Sequence, residues 1–404
     1  MEFANTLRVL LHDIPIGTLS LNRNDGGEFR LLESYKHAYP RPVLGQQFLD
    51  NLEQVYSSRS RVPPWFSNLL PEGPLRELVA KQAGVASTRE FFLLHRLGED
   101  LPGAVRIISD DVSIEPLTEL DEQLLVPDPT GAWHFSLAGV QLKFSARRND
   151  RGLTIPVSGQ GGDWILKLPD SRYPKVPENE YATMLWAKAS GIDIPELELV
   201  NLSHISGLPS DIGKFSENFA LAVRRFDRPA ADQRVHMEDL AQILGLYPEE
   251  KYLKYNYETL AKLILVLTGG LDEFIRRLVF IIVSGNGDAH HKNWSLLYPD
   301  GVKAKLSPAY DLLSTIQYMP NDQLALNFAK SKRFEDVGIE SFRRMARKLG
   351  EDELRMVELV HASLDAVLSA WQNFNGDFGY DFSQRDIIES HFMQIPLVEI
   401  SKHF

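Results

Sequence analysis

The sequence predicts an α+β fold in which a mixed lobe is followed by a mainly helical lobe. Short strand-like runs separated by turn residues dominate the chain before residue 228, whereas runs with apolar residues at helical spacing dominate after it. A chain of 404 residues is also long enough for two or three domains. We expect an N-terminal subdomain over residues 1–110, a mixed lobe over residues 111–228 and a helical lobe over residues 229–404.

The composition excludes several classes of function. With 43 basic and 55 acidic side chains the net charge is −12, which argues against a protein that coats nucleic acid by itself. Cysteine is absent, so disulfides, thiol nucleophiles and Cys-ligated zinc are excluded. The longest apolar run, residues 278–283, is too short to span a membrane, and the N-terminal residues lack the pattern of a signal peptide. We therefore expect a cytoplasmic protein without a membrane partner.

The first hundred residues predict short strands and then short helices. Two short alternating runs, over residues 7–13 and 17–23, open the chain. The Asn-Asp-Gly-Gly sequence of residues 24–27, which follows them, predicts a hairpin turn. Residues 63–98 show helical patterns that Pro and Gly interrupt. The acidic stretch over residues 110–131 predicts a linker.

The next hundred residues predict strands around one helix. Residues 164–168, with the sequence WILKL, read as a strand. Residues 179–192 carry apolar residues at helical spacing, and Gly191 is a natural helix stop. Residues 197–203 and 219–228 then predict further strands.

After residue 228 the pattern predicts helices. Apolar residues recur at helical spacing over residues 237–246, 257–270, 271–286 and 340–374. A hairpin-like segment over residues 294–308 interrupts them. Arg343, Arg344, Arg347 and Lys348 form a basic helical segment, which fits either a solvated face paired with acids or contacts with the DNA backbone.

The most informative motif lies between a buried-looking helix and the hairpin. Asp288 and Asn293 have the D-x-x-x-x-N spacing of a protein kinase catalytic loop, and Asp311 follows the hairpin. In such a loop the first Asp orients the acceptor hydroxyl and takes its proton, while the Asn and the second Asp hold Mg²⁺. Taken alone, the Asn-Gly-Asp sequence is also typical of an ordinary turn.

Two residues upstream favour the kinase interpretation. Lys167 lies within an apolar strand, where a lysine is costly unless its ammonium meets a counter-charge. Glu180 follows on the next helix, and a strand Lys paired with a helix Glu is how kinases direct a cation at nucleotide phosphates. Taken alone, Lys167 is more simply explained as an edge-strand residue directed to water, and Glu180 as a solvated carboxylate near a helix N-terminus. Their order along the chain before the two Asp motifs is what makes coincidence a poor explanation.

A phosphate-binding loop is less clearly marked. Neither a G-x-G-x-x-G nor a Walker motif is present, and we interpret the glycine-rich residues 158–162 as a hairpin turn. Residues 136–143, with the sequence SLAGVQLK, lie upstream of the Lys167 strand, where small residues could present free backbone N–H groups to phosphate. On its own this segment could be a strand with a glycine bulge.

Together these residues resemble the HipA family of toxin serine/threonine kinases from bacterial toxin–antitoxin modules. The segments that carry the resemblance are SLAGVQLK, WILKLP, NEYATMLWAKASGIDIPE, VRRFDR, GNGDAHHKN and SPAYDL, and it extends over nearly the whole chain. The resemblance implies a protein-kinase-like, two-lobed α+β fold with a mixed N-lobe, a helical C-lobe and an extra N-terminal subdomain. It also implies the cofactors ATP and Mg²⁺.

The resemblance further implies a role for each site residue. Asp288 would be the catalytic base, and Asn293 and Asp311 would bind the metal. Ser136 would be the serine that is autophosphorylated. The nucleotide would contact a phosphate loop, a lysine–glutamate pair, a hinge and two lining side chains: Ala138, Gly139, Val140, Gln141, Leu142, Lys143, Lys167, Glu180, Arg224, Phe226, His290 and Tyr310.

The partners are likewise implied by the resemblance. They are a helix-turn-helix antitoxin, through which DNA is engaged indirectly, and a protein substrate in translation, with a glutamyl-tRNA synthetase as the leading candidate. Leu142 and Arg224 depart from the family pattern, which expects an acidic residue at each position. Two alternatives stay open: a small-molecule kinase on the same scaffold, and a catalytically silent regulator that acts through its antitoxin.

Overall fold

The computed structural model describes residues 6–22, 24–109, 142–149, 152–155, 161–170, 172–208, 215–230, 233–374 and 376–399. The chain divides into two compact units. The N-terminal unit consists of the described parts of Met1–Leu142, Asp227–Glu249 and Tyr298–Val302, and the C-terminal unit of those of Lys143–Phe226, Glu250–Leu297 and Lys303–Phe404. Sheets and helices occur in both units, which confirms the predicted α+β class. The boundaries that the sequence suggests at residues 110 and 228 stay predictions.

The N-terminal unit contains short strands and helices. In chain order these are β1 (Thr6–Leu11), β2 (Ile14–Leu21), β3 (Gly27–Leu31), α1 (Glu33–Lys36), α2 (Gln46–Leu49), β4 (Tyr56–Ser57), α3 (Pro64–Ser67), α4 (Gly73–Ala83), α5 (Glu90–Leu97), β5 (Val105–Ile108), then, after the intervening C-terminal-unit elements, β12 (His236–Asp239) and α7 (Leu240–Ile243).

One antiparallel sheet organises this unit. Its strand order is β4-β3-β2-β1-β5, and the predicted hairpin joins β2 to β3, where Leu21 pairs with Gly27. The inward faces of these strands pack on aromatic side chains from the short helices, among which Phe48, Trp65 and Phe66 are fully buried. This apolar layer accounts for the alternating pattern of the N-terminal sequence.

The C-terminal unit contains the other elements. They are β6 (Lys143–Asn149), β7 (Gly152–Thr154), β8 (Trp164–Lys167), α6 (Val176–Ala189), β9 (Leu197–Asn201), β10 (Ile205–Ser206), β11 (Phe219–Arg224), α8 (Tyr257–Thr268), α9 (Leu271–Val283), β13 (Ser295–Tyr298, whose last residue belongs to the N-terminal unit), β14 (Lys305–Leu306), α10 (Ile339–Leu349), α11 (Glu353–Asn373), α12 (Phe382–Phe392) and α13 (Pro396–Glu399).

A six-stranded sheet positions the residues of interest. Its order is β10-β7-β6-β8-β11-β9, so β8 lies between two antiparallel neighbours. Within it Lys167 is paired with Lys143 of β6 on one side and with Leu221 of β11 on the other. Lys167 is therefore on a central strand, which rules out the alternative that it is an edge-strand residue directed to water.

The helices after residue 250 form the remainder of this unit. Trp186 of α6 packs against Phe280 of α9 and Trp371 of α11, with ring centroids 5.1 and 4.6 Å apart. The predicted hairpin is present as β13 and β14, where Leu296 pairs with Leu306. Among the described residues, every helix is too short or too polar to cross a lipid bilayer.

One predicted helix is partly wrong. Residues 237–239 continue strand β12, and the helix that follows them, α7, has only four residues. Asp239 explains the change, because its side chain accepts from the backbone N–H of Gln242 and the Gln242 side chain accepts from the Asp239 N–H. This reciprocal cap fixes the helix start at Leu240.

Candidate active site

A buried ion cluster lies where β8 faces α6. The ammonium of Lys167 donates hydrogen bonds to the carboxylates of both Glu180 and Asp311. Lys167 is 4% exposed and Glu180 is 3% exposed, so water contributes little to their solvation. A buried lysine of this kind is tolerated because each charge has a hydrogen-bonded counter-charge.

A second lysine reaches the same carboxylate. Nζ of Lys143 lies 3.2 and 3.1 Å from the two carboxylate oxygens of Asp311. Burial raises the pKa of Asp311, but the charges of Lys143 and Lys167 outweigh it and hold that pKa well below its ordinary value. Burial lowers the pKa of Lys167, but the carboxylates of Asp311 and Glu180 outweigh it and raise that pKa. Asp311 and Lys167 are therefore both charged near pH 7.

Backbone geometry directs Asp311 into the cluster. Asp311 has φ of 54°, in the left-handed region that non-glycine residues seldom adopt, where Asn and Asp are the most tolerant. Its segment is anchored to α6 by Asn179, whose Nδ2 donates to the backbone oxygen of Ser314 at 3.0 Å and whose Oδ1 accepts from the Ser314 N–H at 3.2 Å. Asn179, which holds the segment of Asp311, and Glu180 are thus adjacent residues of one helix.

The loop after α9 fixes the main chain of Asp288 at both ends. The N–H of Asp288 donates to Oδ1 of Asn286 at 2.9 Å. Its carbonyl oxygen accepts from the N–H of His290 at 2.7 Å and from Nδ2 of Asn293 at 2.9 Å. Gly287 allows this path, because a Cβ there would lie 2.1 Å from the Asp322 carboxylate. Asp288 and Asn293, predicted from their spacing, are in direct contact.

The side chain of Asp288 is also constrained. It is half-buried, and its Oδ1 accepts a hydrogen bond from the hydroxyl of Tyr252. Burial raises the pKa of Asp288 to about 7, although the hydrogen bond from Tyr252 acts in the opposite direction. A carboxyl whose pKa is near the working pH has the acidity that suits a general base.

Asn293 and Asp311 fit a hard divalent cation. Because Nδ2 of Asn293 is used by the Asp288 carbonyl, its Oδ1 is left as the acceptor, and Asp311 supplies a carboxylate that already attracts two cations. The described residues contain no group of three or more His, Asp or Glu side chains that could hold a metal. Mg²⁺ commonly takes only one or two protein ligands, which is what Asn293 and Asp311 would supply.

The residues predicted to line the nucleotide site lie in the same unit. The ring of Tyr310 is 5.5 Å from that of Phe226, and its hydroxyl donates to the carbonyl of Lys292 at 2.8 Å. Arg224 ends β11, and its guanidinium lies 3.6 Å from the carboxylate of Asp163. His290 is buried with its ring 4.9 Å from that of Tyr252, in an edge-to-face arrangement.

Part of the predicted phosphate loop lies outside the described residues. Leu142 directly precedes β6, and Lys143 is its first residue. The other predicted residues of this segment, and the predicted phosphorylation site, lie outside the described residues: Ser136, Ala138, Gly139, Val140 and Gln141.

Two contributors were missed by sequence reasoning. Tyr252, which contacts Asp288, lies in the run EEKYLKYNY, which carries no recognisable motif and is 36 residues away. Asn179 precedes Glu180 on α6, a helix whose buried residues lie on more than one face. From the sequence alone, a polar residue at this position is indistinguishable from one on a solvated face. A buried polar residue next to a predicted ion-pair residue is the signal that could have found it.

Comparison with known proteins gives a consistent result. Two family models match the chain, the HipA N-terminal domain over residues 7–108 and the HipA-like C-terminal domain over residues 135–371. The kinase-family protein Y4dM of Sinorhizobium fredii is 42% identical, and the match covers 100% of both chains. Y4mE of the same organism is 32% identical over 77% of this chain and 79% of the relative.

More distant matches carry more specific names. The serine/threonine-protein kinase toxin HipA of Shewanella oneidensis is 25% identical over 65% of each chain. A solved structure of HipA from that organism, in complex with HipB and operator DNA, matches 98% of this chain and 99% of its own, with a TM-score of 0.73 and 19% identity. This match confirms the two-lobed fold with an added N-terminal subdomain that the sequence predicts.

Proposed function

Because this chain belongs to the HipA family of toxin serine/threonine kinases, we propose that it transfers the γ-phosphate of ATP to a serine or threonine hydroxyl of a protein. The observation that carries the proposal is the cluster of Lys167, Glu180 and Asp311 in the same unit as the Asp288 loop. Phosphoryl transfer depends chiefly on positioning and on neutralising charge, and these residues can do both.

In this proposal the two lysines neutralise nucleotide charge. Glu180 holds the ammonium of Lys167 in place, and the other N–H groups of that ammonium would be directed toward the phosphates. Lys143 would add a second cation from the adjacent strand. Asn293 and Asp311 would hold Mg²⁺, which when bound neutralises the phosphate oxygens. The ammonium groups of Lys143 and Lys167, which both bind Asp311, would also bind the phosphates once nucleotide and metal are present.

Asp288 acts as the base. Since burial raises its pKa to about 7, it is substantially ionised at neutral pH and still basic enough to accept the proton of a hydroxyl. Its backbone is held by Asn286, His290 and Asn293, so the carboxylate has a fixed origin in the site. Fixing a base in this way lowers the entropy cost of reaction.

The remaining nucleotide contacts follow the predicted roles. Arg224 and Phe226 would form the hinge beside adenine, with Tyr310 and His290 lining the pocket. Residues 138–143 would form the phosphate loop, and Ser136 would accept phosphate from another copy of the chain in an autophosphorylation that silences the enzyme.

The cellular partners come from the family. The acceptor would be a protein of translation, with a glutamyl-tRNA synthetase as the leading candidate, and the chain would be neutralised by a helix-turn-helix antitoxin. The solved HipA structure is itself a complex with HipB and operator DNA. Any contact with DNA would be made mainly through the antitoxin, which suits a net charge of −12.

Two alternatives make different predictions. A small-molecule kinase would label metabolites and not proteins, whereas a silent regulator would label neither. The presence of Lys167, Asp288, Asn293 and Asp311, each held in a specific hydrogen-bonded position, supports an active enzyme.

The test is to supply the full-length protein with γ-³²P-labelled ATP and Mg²⁺, together with either heat-treated bacterial lysate or its metabolite fraction. We expect label in protein, and mass spectrometry of the chain itself should locate phosphate at Ser136. Asp288→Asn should lower protein labelling by about 10²- to 10⁴-fold, the usual contribution of a general base, while Mg-ADP binding is retained.

The matched control is Asp336→Asn. Asp336 is an exposed carboxylate of the same unit, and it accepts a hydrogen bond from the hydroxyl of Ser331 at 2.6 Å. The Asp336→Asn variant should label protein at the wild-type rate. Label confined to metabolites would establish the small-molecule alternative, and an unlabelled wild type would establish the silent one.

A further inference from the structure

We propose that Tyr252 is a positioning residue that sets the rotation of the Asp288 carboxylate and so presents its second oxygen to the acceptor hydroxyl. The inference rests on the proposed function, since it assigns a task within the same phosphoryl transfer. Neither the D-x-x-x-x-N spacing nor the lysine–glutamate pair involves Tyr252.

The hydrogen bonds within the loop leave the side-chain torsions of Asp288 unset. Asn286, His290 and Asn293 bind only main-chain atoms of Asp288. They fix the position of its Cα, but the torsion that rotates an aspartate carboxylate is broad and has no sharp minimum of its own. The contact that restrains this torsion is the hydrogen bond from the Tyr252 hydroxyl to Oδ1. Oδ2 is then the oxygen available to a hydroxyl.

Tyr252 is itself held in place. Its half-buried ring lies edge-on to His290, with centroids 4.9 Å apart and planes at 76°. The residue before it, Lys251, is 6% exposed, and its carbonyl accepts from the N–H of His291 at 3.3 Å and from the His291 ring. The segment that carries Tyr252 is therefore hydrogen-bonded to the loop that carries Asp288.

The proton balance gives Tyr252 no chemical step. The acceptor oxygen forms a bond to the γ-phosphorus, and the bond from that phosphorus to the bridging oxygen breaks with its electron pair left on ADP. The hydroxyl proton passes to Oδ2 of Asp288. Tyr252 keeps its own proton on the hydrogen bond to Oδ1 throughout. Its loss should therefore slow the transfer without weakening nucleotide binding.

The experiment compares Tyr252→Phe with Tyr255→Phe. The first variant keeps the ring that packs on His290 and removes only the hydroxyl. The second removes a hydroxyl three residues away, from an exposed tyrosine whose ring lies 6.2 Å from that of His291. Initial rates of protein labelling in heat-treated lysate are measured over a range of Mg-ATP concentrations. Rates are expressed per chain able to bind Mg-ADP, so that partial unfolding does not imitate the effect.

We expect Tyr252→Phe to lower the maximal rate by roughly 10- to 100-fold, the cost of misplacing a reacting group by a fraction of an ångström to an ångström. The Mg-ATP concentration at half-maximal rate should change by less than about twofold, because the nucleotide contacts are intact. Tyr255→Phe should match the wild type in both quantities.

Two results would overturn the inference while leaving the proposed function in place. One is a Tyr252→Phe variant with the wild-type maximal rate. The other is a variant whose half-saturating Mg-ATP concentration rises in proportion to its loss of rate, which would place Tyr252 in nucleotide binding. A wild-type protein that labels nothing would instead overturn the proposed function and, with it, the basis of this inference.

Discussion

Each of the two units of the molecule holds a carboxylate that accepts several hydrogen bonds, and the pKa values of these two carboxylates are shifted in opposite directions. In the N-terminal unit, Glu238 is fully buried and accepts from Trp65 Nε1 at 3.1 Å, the Gln46 N–H at 3.0 Å and the Tyr298 hydroxyl at 2.5 Å. All three donors are neutral. Burial therefore raises the pKa of Glu238 to about 7 in spite of these hydrogen bonds.

In the C-terminal unit, Asp311 accepts from two ammonium groups, and its side chain is 26% exposed. Its pKa is held well below its ordinary value by Lys143 and Lys167. Neutral donors surround Glu238, whereas Asp311 is paired with two cations and lies partly open to solvent. In the proposed function, metal and phosphates would reach Asp311 from this open side.

The largest effect should come from breaking the charged cluster. Lys167→Met leaves Glu180 buried without its counter-charge, and removal of one partner from a buried pair costs about 3–5 kcal/mol. We expect the free energy of unfolding, measured with urea, to fall by this amount and protein labelling to fall with it.

A double variant separates the two effects. Lys167→Met with Glu180→Met replaces the pair by apolar side chains of similar length, a change that is often neutral for stability. It should recover most of the free energy of unfolding but none of the labelling. A single Lys167→Met variant that unfolds like the wild type would contradict the buried position of this pair.

A smaller effect, with a distinct pH dependence, should come from the neutral cluster. Because the pKa of Glu238 is about 7 in the folded chain and 4.5 as the ordinary value, the folded state binds a proton more tightly than the unfolded state. Its contribution to stability is present below pH 4.5 and is lost as the pH rises toward 7, by about 3 kcal/mol in total. Glu238→Gln, which is neutral throughout, should flatten the fall in melting temperature over that range.

Glu389→Gln is the control for this effect. Glu389 also accepts from a tryptophan, Trp371 Nε1, at 3.1 Å, but it is exposed. The same substitution there should leave the pH dependence of melting as it is in the wild type. A Glu238→Gln variant with an unchanged pH dependence would mean that Glu238 is ionised in the folded chain at every pH tested.

Local patterns predicted more of the C-terminal unit than of the N-terminal one. The Lys167 strand, the Glu180 helix and the Asp288 loop are each encoded by adjacent residues, so spacing and apolar period were enough to predict them. Glu238 was placed in a helix because its neighbours have apolar residues at helical spacing.

The contacts that the sequence could not predict are those between residues far apart along the chain. The partners of Glu238 lie 192, 173 and 60 residues away along the chain. Lys143 and Asp311 are 168 residues apart, and Tyr252 and Asp288 are 36 apart. A local pattern of apolar residues cannot predict such pairings, because they depend on how distant strands and helices pack against one another.

The smallest effect on stability should come from Lys143→Met. This variant allows a comparison of two lysines that bind the same carboxylate, that of Asp311. Lys143 and Lys167 are register partners on adjacent strands and both bind Asp311, but the side chain of Lys143 is 38% exposed and that of Lys167 is 5% exposed. An ion pair open to water contributes less than about 1 kcal/mol. We expect the free energy of urea unfolding to change by no more than that, while Mg-ADP binding, measured calorimetrically, weakens several-fold because one cation is lost from the phosphates. A loss of stability equal to that of Lys167→Met would show that contact with Asp311, and not burial, sets the cost of removing a lysine here.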